Sequence, residues 1–283
     1  MDLAHVISRA FPDVVQAYGW KDSALYALGL GYGSDPLDPR DLAFVYEQGQ
    51  LAVPSQCVVL GHPGFWHRDP ATGIDWVRLL HGEHRFEIQR PLRPGDTVRA
   101  RHRVVAVEDR GAGRGALLHF ETALEDEATG EPVAKVQALH MLRGDGGCGS
   151  HGAPPPPPEL LPDRAPERTL DLATLPQAAL IYRLSGDYNP LHVDPEVARG
   201  AGFDRPILQG LCTMGLACRA LLRGYCEDRP ERLRSLSVRF TRPAYPGETI
   251  RFEFFREGEG IAFRAVAAER GAVVLDRCRA MLA

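Results

Sequence analysis

Hydrophobic and polar residues alternate along two long stretches of the chain, one in each half. A period of two residues places successive side chains on opposite faces of a β-strand. Turns rich in glycine, asparagine or aspartate separate the alternating segments, which predicts an antiparallel meander in each half. The segments are 98–110, 115–127 and 133–142 in the first half, and 249–258, 261–270 and 272–282 in the second.

A full-length helical pattern occurs only in the second half, from Ile207 to Cys226. Its apolar positions recur at helical spacing and small residues lie throughout, which predicts a long and mostly buried helix. The corresponding segment of the first half, 49–67, contains prolines and glycines that are unfavourable inside a helix. We therefore expect this central helix to be shortened or lost in the first half. The apolar positions are Leu208, Leu211, Leu216, Ala220 and Leu221.

The two halves resemble each other in order and in detail. A short amphipathic helix is predicted near residues 23–33 and again near 178–189. The turn sequence Pro-Gly-Asp-Thr-Val at 94–98 returns as Pro-Gly-Glu-Thr-Ile at 246–250, 152 residues later. Two copies of one unit, each combining a helix with an antiparallel meander, correspond to an α+β fold.

A proline- and glycine-rich segment separates the two units. Glycines open it and five consecutive prolines, 154–158, follow. Such a composition favours an extended and solvated chain, although a proline-rich ligand for another domain is a less favoured alternative. We predict a first repeat over residues 1–145, a linker over 146–168 and a second repeat over 169–283.

Composition excludes several broad classes of function. The chain has 283 residues, 44% of them hydrophobic, and a net charge of −4, so neither nucleic acid nor a membrane is an expected partner. Neither end of the chain resembles a secretory or peroxisomal signal, and the expected location is the cytoplasm. The six cysteines are scattered, which favours free thiols, and no histidine or cysteine spacing indicates a metal.

Residues 182–210 carry the strongest indication of chemistry. Asp187 follows a predicted helix end and a glycine, Asn189-Pro190 favours a turn, and His192 comes five residues after Asp187. In such a turn a carboxylate and an imidazole can converge on one water molecule and act as a general acid–base pair. Spacing alone also allows a turn with a purely structural role.

The sequence YRLSGDYNPLH, followed by GFxxPILQGL, resembles the signature of the MaoC-like hydratases, and within them that of the type 2 enoyl-CoA hydratases. The latter also form the hydratase part of peroxisomal multifunctional enzymes. The segments YALGLGYG, DLAFVYEQG, LLHGEH and YPGETI resemble two-repeat members, so the resemblance covers nearly the whole chain apart from the linker. It implies a double hot-dog fold with two antiparallel sheets, each associated with a central helix.

The resemblance also implies roles for individual residues. Asp187 and His192 match the catalytic pair of the family, although the sequence does not say which takes and which delivers the proton. Asn189 matches a residue that orients the reacting groups. Gly210 matches a glycine whose backbone N–H binds the thioester oxygen at the start of the central helix.

Further matches concern the substrate. His81 and Gly82 resemble positions that contact the thioester carrier, and Arg110 would suit a phosphate of coenzyme A. Phe240 resembles a residue that lines the site. For Arg110 a solvated turn, and for Phe240 a core position, remain open. Substrate contacts are also expected at Tyr188, Pro190 and Leu191, and the chain departs from the family pattern at His84 and Gln209.

The first half has no counterpart of the pair. Aligning Tyr26 with Tyr182 places Gly31 opposite Asp187 and Pro36 opposite His192, and neither can transfer a proton. We expect one active site per chain and a first half that binds the acyl group and coenzyme A.

The resemblance implies reversible hydration of trans-2-enoyl-CoA to (3R)-3-hydroxyacyl-CoA, with an acyl-CoA thioester as partner and no metal or other cofactor. The first alternative is dehydration of a 3-hydroxyacyl thioester on an acyl carrier protein. A non-catalytic acyl-thioester-binding protein and a thioesterase are less favoured. A homodimer is compatible with this architecture.

Overall fold

The two alternating stretches form six of the ten strands of the protein. The computed structural model describes residues 1–283, with ten β-strands and six α-helices. The first-half strands are β1 (Val14–Ala17), β2 (Leu79–Ile88), β3 (Thr97–Asp109), β4 (Ala116–Asp126) and β5 (Pro132–Leu142). Those of the second half are β6 (Arg168–Ala173), β7 (Leu233–Phe240), β8 (Thr249–Glu257), β9 (Gly260–Ala267) and β10 (Ala272–Leu282).

The helices are few and mostly short. They are α1 (Leu3–Ser8), α2 (Trp20–Gly29), α3 (Pro39–Val45), α4 (Ala178–Tyr182), α5 (Pro195–Gly200) and α6 (Gly210–Tyr225). Single 3-10 turns complete the list at Pro54–Val59, Trp66–Arg68, Pro70–Thr72, Trp76–Arg78, Arg183–Ser185, Pro190–His192 and Pro230–Arg232.

All ten strands belong to one antiparallel sheet, in the order β1-β3-β4-β5-β2-β7-β10-β9-β8-β6. The sequence predicted two sheets, and here the structure differs, because β2 and β7 pair with each other across the middle, with Phe86 opposite Leu236. Each of these strands would otherwise leave one row of backbone donors and acceptors without partners. The predicted α+β class is confirmed.

Equivalent parts of the two halves meet at the centre of the molecule. The rings of Tyr26 and Tyr182, aligned in the sequence, lie 5.6 Å apart in the core. A Cβ on Gly29 would lie 3.4 Å from the Cα of Tyr182, so glycine lets α2 approach α4 closely. Aligned residues of the two halves therefore pack against each other in the core.

The central helix α6 is enclosed by protein on nearly all sides, since every residue from Cys212 to Leu222 is buried. Gly215 permits this packing, because a Cβ there would lie 2.5 Å from a methyl group of Leu30. In the first half the corresponding segment forms only the 3-10 turn Pro54–Val59. The predicted loss of the first central helix is confirmed.

A buried ion-pair network ties α6 to the first half. The carboxylate of Asp41, which is 3% exposed, accepts hydrogen bonds of 2.9 Å from Arg219 and from Arg223. Arg219 also donates to the backbone oxygen of Leu30 at 2.9 Å. Removal of one member would leave a buried charge without its partner, which is costly.

Two edge strands of the sheet, β1 and β6, and two central strands, β2 and β7, lie outside the alternating segments predicted from the sequence. β1 has four residues and β6 has six, so neither shows a sustained alternation. β6 begins at Arg168, the residue at which the linker was expected to end, and pairs there with Phe254. None of the helices combines the length and apolarity that a membrane crossing needs, and all six cysteines are unpaired.

Candidate active site

The segment after α4 is shaped by a succession of tight turns. The helix gives way to a single 3-10 turn, Arg183–Ser185, and Gly186 then adopts a φ of 121°, which side chains disfavour. Asp187 follows directly. Asn189 then caps the next 3-10 turn, Pro190–His192, through a 3.1 Å hydrogen bond from the Leu191 N–H to its side-chain oxygen. These turns fix the positions of Asp187 and His192.

The two side chains converge. His192 Nε2 lies 3.8 Å from Asp187 Oδ2, too far for a direct hydrogen bond but close enough for one water to bond to both. The imidazole is largely enclosed, with 10% of its side chain exposed, whereas 32% of the Asp187 side chain is exposed. A water or substrate can therefore reach the carboxylate side of the pair.

A backbone carbonyl fixes the orientation of His192. Its Nδ1 lies 2.9 Å from the oxygen of Ile207, a group that only accepts hydrogen bonds. Nδ1 must therefore carry the proton in the neutral ring, and Nε2 presents its lone pair toward Asp187. Ile207 was not identified from the sequence, because a backbone oxygen leaves no signature in residue type.

Asn189 stabilises this loop through its backbone N–H and its side-chain oxygen. Its N–H donates to Asp187 Oδ1 at 3.3 Å, while its side-chain oxygen caps the following turn. The structure therefore gives it an indirect role in placing Asp187 and His192.

Gly210 is the first residue of α6, where backbone N–H groups have no intrahelical acceptor. The ring of Phe240, at the end of β7, packs directly on it. A Cβ at this position would lie 3.1 Å from the Phe240 ring, so glycine favours the close contact. The start of the helix thus combines free N–H donors, the positive end of the helix dipole and an aromatic wall.

The first half reaches this point through β2. The ring of His81 lies 4.9 Å from the ring of Phe240. His81 Nε2 is 3.0 Å from His84 Nδ1. Gly82 is the extra residue of a β-bulge between the pairs His81–His140 and Glu83–Leu139. The bulge changes the alternation, so that His81 and His84, three residues apart, lie on the same face of the sheet.

Of the other residues predicted to contact substrate, Arg110 lies away from the pair, whereas Tyr188, Pro190 and Leu191 lie in the loop that carries it. Arg110 lies at the exposed β3–β4 turn, three strands from β2 and so on the order of 14 Å away, near Glu108 at 3.9 Å. Tyr188 is 61% exposed and its ring lies under the guanidinium of Arg183. Pro190 is exposed and Leu191 half-buried, both in the loop that carries the pair.

The equivalent position of the first half holds no acid–base pair. Gly31 adopts a φ of 81°, and a Cβ there would lie 2.9 Å from the guanidinium of Arg219. The ion pair of Arg219 with Asp41 thus occupies the space next to this loop.

A histidine that sequence reasoning passed over lies near the pair. Burial lowers the pKa of His62, and the carboxylate of Asp187 opposes that effect. The side chain of His62 is exposed to solvent. No cluster of three ligating side chains is arranged to hold a metal ion.

Two family models match the chain. Residues 17–144 match the MFE-2 hydratase 2 N-terminal domain, and residues 159–276 match the MaoC-like domain.

Two curated relatives match over nearly their whole length. The peroxisomal enoyl-CoA hydratase 2 of Arabidopsis thaliana is 36% identical, over 95% of this chain and 92% of that protein. The 3-hydroxyacyl-thioester dehydratase Y of Mycobacterium tuberculosis is 38% identical, over 90% of each.

Solved structures agree with this. A MaoC-like dehydratase from Phytophthora capsici is 35% identical and superposes with a TM-score of 0.89, over 100% of this chain and 99% of that chain. A Mycobacterium tuberculosis protein described as having a double hotdog fold superposes with a TM-score of 0.59 at 20% identity, over 96% and 94% of the two chains. The predicted double hot-dog fold is confirmed.

Proposed function

The chain belongs to the MaoC-like hydratases, in the group of the type 2 enoyl-CoA hydratases, and from this premise we propose that it reversibly hydrates trans-2-enoyl-CoA to (3R)-3-hydroxyacyl-CoA. One observation supports the site most directly. Asp187 and His192 converge to 3.8 Å in a loop that precedes a helix start left open by Gly210.

His192 is suited to take the proton from water in this proposal. Its Nδ1–H is held by the Ile207 carbonyl, so the Nε2 lone pair can accept a proton as the water oxygen bonds to the β-carbon. The α-carbon must gain one proton. The balance closes when the new hydroxyl, bonded to both side chains, passes its proton to Asp187 Oδ2 and takes one from Nε2. Asp187 then supplies a proton to the α-carbon, so the pair returns to its starting state.

The start of α6 serves the thioester. Addition of water places negative charge on the thioester oxygen, and the Gly210 N–H at the positive end of a 16-residue helix can donate to it. Loss of such a donor typically costs about 2.7–4 kcal/mol of transition-state stabilisation. Phe240 would then form a wall beside the reacting carbons.

The halves divide the work in this proposal. Residues 169–283 carry the catalytic groups, residues 1–145 bind the acyl group and coenzyme A, and residues 146–168 link them. His81 and Gly82 reach the site through Phe240. Arg110 stays a proposed phosphate contact, because an extended coenzyme A molecule can cover the separation between β2 and the β3–β4 turn.

The second candidate function is dehydration of a 3-hydroxyacyl thioester carried by an acyl carrier protein. The 38% identity to a 3-hydroxyacyl-thioester dehydratase supports this second candidate function. The same site would catalyse both directions, so only the carrier and the physiological direction differ. Kinetics with matched coenzyme A and carrier-protein thioesters separate the two.

We also propose a cytoplasmic location, because six unpaired cysteines suit a reducing compartment. The peroxisome is the alternative. Fluorescence microscopy of the tagged chain decides between the two locations. We also propose a homodimer, which sedimentation of the purified protein tests.

The proposed reaction is tested by the absorbance of the enoyl-thioester band. The purified protein is mixed with crotonyl-CoA and with decenoyl-CoA, and the product is separated on a chiral column. Loss of the band with formation of the (3R) alcohol is the expected result. No change in absorbance with any enoyl-CoA or carrier-protein thioester would contradict the proposal.

A further inference from the structure

Five histidines of the first half lie close together where the segment 51–78 covers strands β2 and β5. They are His62, His67, His81, His84 and His140, and we refer to them as the imidazole row. Strand pairing places His140 directly opposite His81, while the bulge at Gly82 adds His84 to the same face. The row uses half of the ten histidines in the chain.

Direct contacts connect most of the row. His81 Nε2 lies 3.0 Å from His84 Nδ1, and His67 Nε2 lies 3.1 Å from His140 Nδ1. The rings of His81 and His140 are 5.6 Å apart, which joins the two pairs. The charge of His62 contributes to the lowered pKa of His67, His84 and His140.

The row begins at the candidate active site and continues into the first half. His81 contacts Phe240, which packs on Gly210. His67 and His84, by contrast, are only 5% and 6% exposed. The nucleotide end of coenzyme A is highly charged and cannot enter so enclosed a space without a large desolvation cost. The buried end of the row therefore belongs to the acyl side of the substrate.

The rings of the row are neutral and incompletely bonded. Burial lowers the pKa of His81 to about 4 and that of His67 to about 3, so each ring offers one donor and one acceptor near pH 7. His67 Nδ1 and His84 Nε2 are buried and have no hydrogen-bond partner. Buried polar atoms are nearly always paired in folded proteins, so these two atoms point to a ligand group that completes them.

We propose that the imidazole row lines the acyl compartment and selects enoyl-CoA substrates whose acyl group carries a hydroxyl or keto oxygen beyond the reacting carbons. This inference rests on the proposed hydratase function. A plain alkyl chain would cover the free ring atoms without bonding to them, whereas an oxygenated chain would pair with at least one. The first half has only the 3-10 turn Pro54–Val59 where the second half has the 16-residue helix α6.

The test compares trans-2-decenoyl-CoA with its analogues hydroxylated at the sixth, eighth or tenth carbon. For the wild type, kcat/KM for the best hydroxylated analogue should exceed that for decenoyl-CoA by about tenfold, mainly through KM. In His84→Leu this ratio should fall to about one or below, because the alkyl chain then meets an apolar side chain.

Two further variants provide a substitute and a control for this comparison. His67→Phe keeps a ring stacked on Trp66, which lies 4.0 Å from the His67 ring, and should also lower the ratio if His84→Leu does not fold. His119→Leu is the matched control and should keep the wild-type ratio. It lies on the opposite face of β4 from the buried Leu118 and Phe120 and pairs with Glu108.

The outcomes separate this inference from the proposed function. Equal kcat/KM for alkyl and hydroxylated substrates in the wild type, or a ratio unchanged in both His84→Leu and His67→Phe, would overturn the selection by the row and leave the hydratase intact. Absence of turnover with every enoyl thioester would overturn the proposed function itself.

Discussion

At the scale of single residues, the proposed chemistry depends on small distances set by the backbone. The Ile207 carbonyl fixes the ring of His192, the Asn189 N–H bonds to Asp187, and the absent side chain of Gly210 lets Phe240 approach. Each of these groups is positioned by a turn or a helix start, so the side chains need little reorganisation before they react.

Replacement of either member of the pair should abolish most activity. We expect Asp187→Asn and His192→Gln each to lower kcat by about 10²–10⁴-fold, the usual contribution of positioned acid–base groups. Steady-state kinetics with decenoyl-CoA measure this, with circular dichroism as a check on folding. Asp204→Asn, an exposed acid in the loop that follows α5, is the control. Near wild-type turnover in either variant of the pair would show that another residue carries the chemistry.

At the scale of elements, sequence pattern predicted what local spacing determines. The meanders, α6 and the loop with Asp187 and His192 follow from alternation, helical periodicity and turn residues. The imidazole row was missed because strand register and the bulge at Gly82 bring its members together, and neither can be seen in a single sequence. The short edge strands β1 and β6 were missed because their pairing partners define them.

The buried network that holds α6 against the first half gives a prediction at this scale. Asp41→Asn should lower the free energy of unfolding by about 3–5 kcal/mol, because Arg219 and Arg223 lose the carboxylate that pairs with them. Urea denaturation measures the change. Asp171→Asn removes the exposed pair with Arg251 and should cost no more than about 1 kcal/mol. Equal costs in the two variants would mean that the Asp41 network contributes little.

At the scale of the whole molecule, two copies of one unit have become unequal parts. One has the central helix α6 and the loop with Asp187 and His192, whereas the other has neither and contains the imidazole row. A single continuous sheet joins them, so a substrate bound between them contacts both.

This inequality predicts one binding site per chain. Isothermal titration with a non-reactive enoyl-CoA analogue should give a stoichiometry of one. In the first half, Gly31 and Pro36 stand where the second half has the proposed acid–base pair, and Arg219 lies beside that loop. The Asp187→Asn variant, which retains the pocket, should bind with the same stoichiometry. Two equivalent sites would contradict the division of roles between the halves.

The imidazole row also makes stability depend on pH. Burial depresses the pKa of His67 to about 3 and that of His81 to about 4, while a histidine in the unfolded chain titrates near 6.5. Below pH 6.5 the unfolded state therefore binds more protons, and the folded state loses stability as the pH falls. Each imidazole that the fold holds neutral lowers the free energy of unfolding by about 2 kcal/mol between pH 6.5 and pH 5.

Urea denaturation at pH 7.5 and at pH 5 tests this dependence. The wild type should be markedly less stable at the lower pH, and His67→Phe should lose less stability than the wild type over the same interval. His151→Gln, at an exposed position, should keep the full wild-type difference. The same loss in His67→Phe as in the wild type would show that the row does not set the acid sensitivity.

The pairing of β2 with β7 has a consequence for synthesis on the ribosome. β2 ends at Ile88 and β7 begins at Leu233, so well over half of the polypeptide is made before the inner edge of the first half finds its partner. During that interval the nascent first half exposes an open strand edge of the kind that promotes aggregation. Codon changes that slow translation through the linker should therefore lower the soluble yield, although they leave the amino-acid sequence unaltered.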